Sequence, residues 1–179
     1  MSYLIISASL NPESKSALLA KAALSELEKL GLSADCIDLK DEDIPFCDGD
    51  SVYEDERVVR VRERIARAQG ILMAVPVYNF YASAAAKNLL EVAGNAWKEK
   101  TVGFLCAAGG KASYMGPLSL ANSLMMDFRC WIVPRFVYAI GSDFEGNEIV
   151  NSGISERIVI LVKEWVRLVR ALNPDKTEL

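Results

Sequence analysis

Five short apolar runs recur along this chain, and a stretch with helical spacing of apolar residues follows each one. The runs are Tyr3–Ile6, Ser33–Leu39, Ile71–Val75, Thr101–Ala107 and Trp131–Ile140, the last interrupted by Pro134. Tyr3–Ile6 and Ile71–Val75 lack polar alternation and are too short for stable helices. They read as central strands covered on both faces. After the first run, Leu18, Leu19, Ala22, Ala23, Leu27 and Leu30 keep helical spacing until Gly31 stops the helix. Further helices are expected over Asp55–Gln69, Ser83–Trp97, Tyr114–Phe128 and Ser155–Leu172. Asp41–Tyr53, with five acidic residues, Pro45 and Gly49, and Gly141–Gly153 read as polar loops. A β-α unit repeated five times predicts a parallel sheet with helices on both faces.

The chain has 179 residues, enough for one domain, 1–179, with 173–179 as a frayed tail. No apolar run approaches the roughly 18 residues of a membrane span, and no signal peptide precedes Tyr3, so a cytoplasmic protein without a membrane partner is expected. The net charge of −4, with no basic block, argues against a nucleic-acid partner. Cys36, Cys47, Cys106 and Cys130 form no CxxC pair and read as buried free thiols. The chain contains no histidine. That excludes a Ser-His-Asp hydrolase, a Cys-His protease and any His-ligated metal site. Chemistry must come from carboxylates, lysines, tyrosines, thiols or a bound cofactor.

In open sheets of this class, ligands bind outside the carboxyl ends of the strands, at the switch point. With the flavodoxin-like order 2-1-3-4-5, the first, third and fourth strands are neighbours. Their loops, Ser7–Ser16, Pro76–Ser83 and Ala107–Ser113, then meet. The first loop carries Ser7, Ser9, Asn11, Ser14 and Ser16 at the positive end of a helix dipole, an arrangement that binds phosphate. The same residues also make an ordinary helix start, with Asn11 as cap, Pro12 at the first helical position and Glu13 and Ser14 in the first turn. Neither GxGxxG nor GxxxxGK[ST] is present, which argues against a dinucleotide cradle and an ATPase. Tyr78, Phe80 and Tyr81 surround Pro76 and Asn79 in the second loop. Gly109-Gly110 in the third lets a flat ring approach the backbone. Together these loops suit a phosphorylated planar cofactor.

At these loops the chain resembles the NADPH-dependent FMN reductase family, which includes azo-, quinone- and chromate-reducing members. The family's first loop, roughly G-S-x-R-x-x-S-x-N, stands here as Ala8-Ser9-Leu10-Asn11-Pro12-Glu13-Ser14-Lys15-Ser16. Its P-x-Y-N block, followed by small residues and K-N, stands as Pro76-Val77-Tyr78-Asn79, Ser83 and Lys87-Asn88. Its Gly-Gly pair is matched by Gly109-Gly110. The match runs from Tyr3 to about Ala139. Asn11 replaces a common arginine, Glu13 adds a negative charge near the phosphate position, and Lys15 stands close by.

The resemblance implies FMN held by Ser9, Asn11, Ser14, Lys15 and Ser16, by Pro76, Val77, Tyr78, Asn79 and Ser83, and by Gly109 and Gly110. NAD(P)H is then the co-substrate, and no catalytic side chain is required. The acceptor is a small molecule: a quinone, an azo compound, a metal oxyanion or free flavin. The alternative is a flavodoxin-like electron carrier, but its usual T-x-T-G-x-T loop and stronger acidic surface are missing. Lys87 is expected on a solvated helix face, and Asn88 is expected to brace the second loop.

Ser83–Trp97 presents Ala84, Ala85, Leu89, Val92, Ala93 and Trp97. Tyr114–Phe128 presents Met115, Leu118, Leu120, Ala121, Leu124, Met125, Met126 and Phe128. The second helix is apolar around most of its circumference, more than one sheet face can cover. A homodimer or homotetramer is therefore expected, with Leu124 at the contact, and the resemblance implies a dimer as well. The competing possibility is that the closing helix, Ser155–Leu172, covers the excess.

Overall fold

The computed structural model describes residues 1–174, so the expected tail from residue 175 onward lies outside the described residues. The chain runs β1 (Tyr3–Ser7), α1 (Lys15–Lys29), β2 (Asp35–Asp38), α2 (Leu39–Glu42), α3 (Glu56–Arg67), β3 (Gly70–Tyr78), β4 (Tyr81–Ala82) and α4 (Ala84–Ala93). It continues through β5 (Thr101–Ala108), α5 (Leu118–Phe128), β6 (Trp131–Ile132), β7 (Val137–Ile140), β8 (Phe144–Glu145), β9 (Glu148–Ile149) and α6 (Ser152–Leu172). The main sheet has the order β2-β1-β3-β5, with β6 and β7 both on the outer edge of β5. All these pairs are parallel. This is the expected flavodoxin-like order, with the fifth strand in two pieces around Pro134.

The sheet is buried on both sides because alternate residues of each strand face opposite layers. On one side Leu4 and Ile6 pack with Val61 and Ile65 of α3, Leu89 of α4, and Leu120 and Leu124 of α5. On the other, Tyr3 and Ile5 pack with Leu19 and Leu27 of α1, and with Ile158 and Trp165 of α6. At Gly70 an added Cβ would stand 2.5 Å from Val169 Cγ2 and 2.9 Å from Trp165 Cζ2, so α6 seats against bare backbone there. Arg64 of α3 ties the edge strand down, pairing with Asp35 at 2.7 Å and with Glu42 at 3.0 Å.

Several boundaries differ from expectation. Strand β3 continues through Pro76, Val77 and Tyr78 instead of ending at Val75, and a hairpin follows. Proline is tolerated there because β1 pairs only as far as Ala74. Pro76 turns its carbonyl to that vacated side, where it accepts from Ser83 N–H at 3.0 Å. Its nitrogen faces the same way, so no ladder bond is lost. Helix α4 stops at Ala93, and Gly94, with φ +49°, starts a separate single turn. Helix α5 begins at Leu118 rather than Tyr114, after Gly116-Pro117. The segment expected as a polar loop over 141–153 holds the β8–β9 hairpin, and α6 starts three residues early on an Asn151 cap.

The closing helix lies on the sheet face opposite α5 and leaves the outer side of α5 uncovered. Leu118, Met125 and Met126 are exposed there, as are the preceding Met115 and the following Trp131. Leu124 is a correction: it is fully buried in the core rather than placed at an outer contact.

Candidate cofactor site

A cavity of about 360 Å³ opens at the carboxyl ends of β1, β3, β5 and β7. It is within the usual size range of small-molecule sites. The loop after β1 supplies Ser9, Asn11, Glu13, Ser14, Lys15 and Ser16. The end of β3 supplies Pro76, Val77 and Tyr78. The end of β5 supplies Ala107, Ala108 and Gly109, and Gly141 closes the far side.

The floor is the start of α1. Ser14, rather than Asn11, is the cap, and its Oγ accepts from Ala17 N–H at 3.2 Å. Pro12 and Glu13 precede the helix. Asn11 shapes that turn, its Oδ1 accepting from Glu13 N–H at 2.9 Å, while Ser9 Oγ accepts from Asn11 N–H at 3.2 Å. The N–H groups of Lys15 and Ser16, first in the helix, have no carbonyl one turn earlier to bond. Ser14 and Ser16 are both buried, and their hydroxyls lie 2.9 Å apart. One proton serves that bond, so the hydroxyl that accepts it keeps its own proton for a guest. Two free amides, a spare hydroxyl proton and the positive end of a 15-residue helix make an anion seat. Capping and anion binding therefore coexist in the same serines.

The walls suit a flat ring. A Cβ added at Gly109 would meet nothing within 4 Å, so this wall is bare backbone beside open space. Tyr138 OH donates to the Gly110 carbonyl at 2.8 Å and fixes that turn. Burial pushes the Tyr138 phenol above its ordinary value. Tyr114 stacks on Phe136 with centroids 4.9 Å apart and meets Tyr138 edge-on at 5.3 Å.

Not every expected residue reaches the cavity. Asn79 sits in the hairpin turn beyond Tyr78, outside the lining. Ser83 caps α4, and its hydroxyl donates to the Ala8 carbonyl at 2.9 Å, bracing the first loop from behind. Gly110 acts through the carbonyl that Tyr138 holds. Lys15 lines the cavity, but its Nζ donates to the Gly146 carbonyl and lies 5.8 Å from the Phe144 ring centroid. Asn88 braces a different segment from the one expected. Its Oδ1 accepts from Cys47 N–H and its Nδ2 donates to the Pro45 carbonyl, each at 2.9 Å. Lys87 pairs with Glu91 at 2.6 Å on the helix surface. Gly141, Ala107 and Ala108 were not singled out from the sequence. The signal for Gly141 was its place at the carboxyl end of the fifth strand.

Against expectation, Cys36 is exposed and Cys47 only half-buried, whereas Cys106 and Cys130 are buried. Burial pushes Cys106 up strongly and Cys130 to about 11.

Comparison with known proteins agrees with this geometry. A family model described as NADPH-dependent FMN reductase matches residues 1–145. Among solved structures, the fold is similar to the flavoenzyme NAD(P)H:(acceptor) oxidoreductase FerB from Paracoccus denitrificans. That match has a TM-score of 0.77 and 18% identity, and covers 95% of this chain and 97% of that one. An NADH:FMN oxidoreductase, EMOB, matches with a TM-score of 0.71 and 18% identity over 92% of this chain and 89% of its own. An azoreductase from Bacillus anthracis str. Sterne matches with a TM-score of 0.69 and 17% identity over 91% of this chain and 100% of its own.

Proposed function

The chain belongs to the NADPH-dependent FMN reductase family, and we propose that it passes electrons from NAD(P)H through FMN to a small acceptor: a quinone, an azo compound, a metal oxyanion or free flavin. The observation that carries this reading is the pairing of the Ser14–Ser16 anion seat with the bare Gly109 wall across one cavity. The seat fits a single phosphate, and the wall admits a planar ring. FMN, when bound, supplies the hydride and electron chemistry.

The residues bind and orient. Ser14, Ser16 and the first amides of α1 hold the phosphate. Val77, Tyr78, Ala107, Ala108 and Gly109 flank the ring. Ser83 and Tyr138 keep the first and third loops in place from outside the cavity. Glu13 is exposed and stands in the cavity lining beside the anion seat. No side-chain acid or base is assigned, in keeping with a chain that has no histidine.

We also read residues 1–174 as one domain, and the protein as a homodimer or homotetramer formed through the uncovered side of α5. No described helix is long and apolar enough to cross a membrane.

Titration of apo-protein with FMN tests the reading. Flavin fluorescence is expected to be quenched on binding, and absence of binding at high micromolar FMN would end it. With FMN bound, NAD(P)H should bleach the flavin directly in stopped flow. Turnover with a quinone should give parallel double-reciprocal lines. Bleaching only in the presence of a partner reductase would make the protein a carrier instead.

A further inference from the structure

We propose that the cleft between α1 and the β1–β2 edge of the sheet is a second binding site, separate from the cofactor cavity, and that it takes an apolar α-amino acid in its zwitterionic form. The inference goes beyond the flavin reading and does not depend on it.

The cleft arises from the way the sheet is covered. Alternate residues of β1 face opposite layers, and Tyr3 and Ile5 face α1 and α6. Ser7 has the same parity, and Asp38 of β2 pairs with it in register. Yet no residue of β2 joins the buried cluster on that side. Helix α1 turns Ala17, Ala20, Lys21 and Leu24 towards this uncovered edge. Residues three and four apart share one face of a helix. Short alanine side chains on that face leave room, and a cavity of about 310 Å³ results. It is large enough for a small-molecule guest. It shares no lining residue with the cofactor cavity.

An unpartnered polar group lies in its floor. Ser7 lines the cleft, is 6% exposed, and has its Oγ buried without a hydrogen-bond partner. A buried hydroxyl in that state costs stability that an alanine would not. A guest with a polar group at the floor removes the cost, because the hydroxyl can both donate and accept.

The charges around the cleft define the guest. Lys21 is exposed, and none of the ion pairs among the described residues includes it. The end of β2 and α2 bring Asp38, Asp41 and Glu42. Asp38 is engaged, its Oδ1 accepting from Lys40 N–H and its Oδ2 from Lys40 Nζ, each at 3.2 Å. Glu42 is engaged by Arg60 and Arg64. Asp41 pairs only with Lys40 Nζ, at 3.9 Å, among the described residues. One unpaired cation and one loosely held carboxylate thus stand beside apolar Ile5, Ala20 and Leu24. A guest with an ammonium, a carboxylate and an apolar side chain matches all three features. A simple acid would face Asp41 with a like charge, and a simple amine would face Lys21, and like charges reject a partner.

Isothermal titration with L-phenylalanine, 3-phenylpropionate and phenethylamine, without FMN and with FMN at saturation, tests the assignment. Phenylalanine is expected to bind with a Kd below about 1 mM in both conditions, and each singly charged analogue about tenfold more weakly. Lys21→Ala should weaken phenylalanine about 5- to 10-fold. Ser7→Ala should weaken it about 3- to 10-fold without lowering the Tm of the free protein, since the lost hydroxyl had no partner. No binding of phenylalanine at about 10 mM overturns the inference. So does an analogue that binds as tightly as phenylalanine, or unchanged affinity in both variants. Competition by FMN would place phenylalanine in the cofactor cavity and overturn it as well. A lower Tm in Ser7→Ala would give that hydroxyl a structural partner, with the same result.

Discussion

Ser16 and Gly109 isolate the two halves of the proposed cofactor contact. Ser16→Ala leaves the Ser14 cap on Ala17 in place but removes a hydroxyl from the anion seat. Its FMN affinity is expected to fall by roughly 1.5–3 kcal/mol, the scale of a hydrogen bond to a charged group, as read by fluorescence titration. Equal affinity would return Ser16 to a helix-start role. Gly109→Ala meets no atom within 4 Å in the chain itself, so the apo-protein Tm should hold while FMN binding weakens. A loss of Tm instead would mean that the wall is packed rather than open. At this scale the sequence was legible where a residue acts through its immediate neighbours. The spacing of Ser9, Ser14 and Ser16 marks the loop that lines the cavity at the start of α1. Ser83 and Asn88 were misjudged because their partners, Ala8 and the Pro45–Cys47 segment, are distant in sequence. Spacing says nothing about such partners.

Elements here are joined by a few specific fits. Gly70→Ala would force its methyl into Val169 and Trp165, and should cost about 1–3 kcal/mol in denaturant unfolding as α6 is pushed from the sheet. A neutral result would show that α6 can shift. Charge fastens the other edge. Hydrogen bonds from Arg64 are the main cause holding the Asp35 carboxyl below its ordinary 3.8, and Arg57 chiefly lowers Asp55 to about 2. The unfolded chain takes up protons on these groups first. Stability from them is full above about pH 4 and drains as pH falls towards 2. Replacing Arg64 by leucine should flatten that fall in urea midpoints taken from pH 5 to pH 2. Strand and helix identities were legible from periodicity, but their ends were not. Pro76 reads as a strand terminator in sequence, and only the early end of β1 reveals why the strand passes through it. Gly116-Pro117 delays α5 because the chain must first clear the hairpin at Phe80.

The order of the strands was legible because β-α units with short connections leave few alternatives. The proposed oligomer rests on a surplus of apolar surface, and the exposed residues of α5 that form this surplus are Leu118, Met125 and Met126. Met126→Glu places a charge on the exposed side of α5 and should give a folded monomer in sedimentation velocity. Leu124→Glu places a charge in the core and should cost about 3–5 kcal/mol, losing the fold before it reports on association. A wild type that is monomeric at micromolar concentration would remove the proposed contact. The cavity has a further consequence in time. Its lining begins at Ser9 and is completed only by Gly141, past the end of the last strand of the main sheet. A nascent polypeptide halted before β7 has every serine of the anion seat and no far wall. Cofactor binding therefore needs the chain made through Gly141, and FMN should not bind chains that stop short of it.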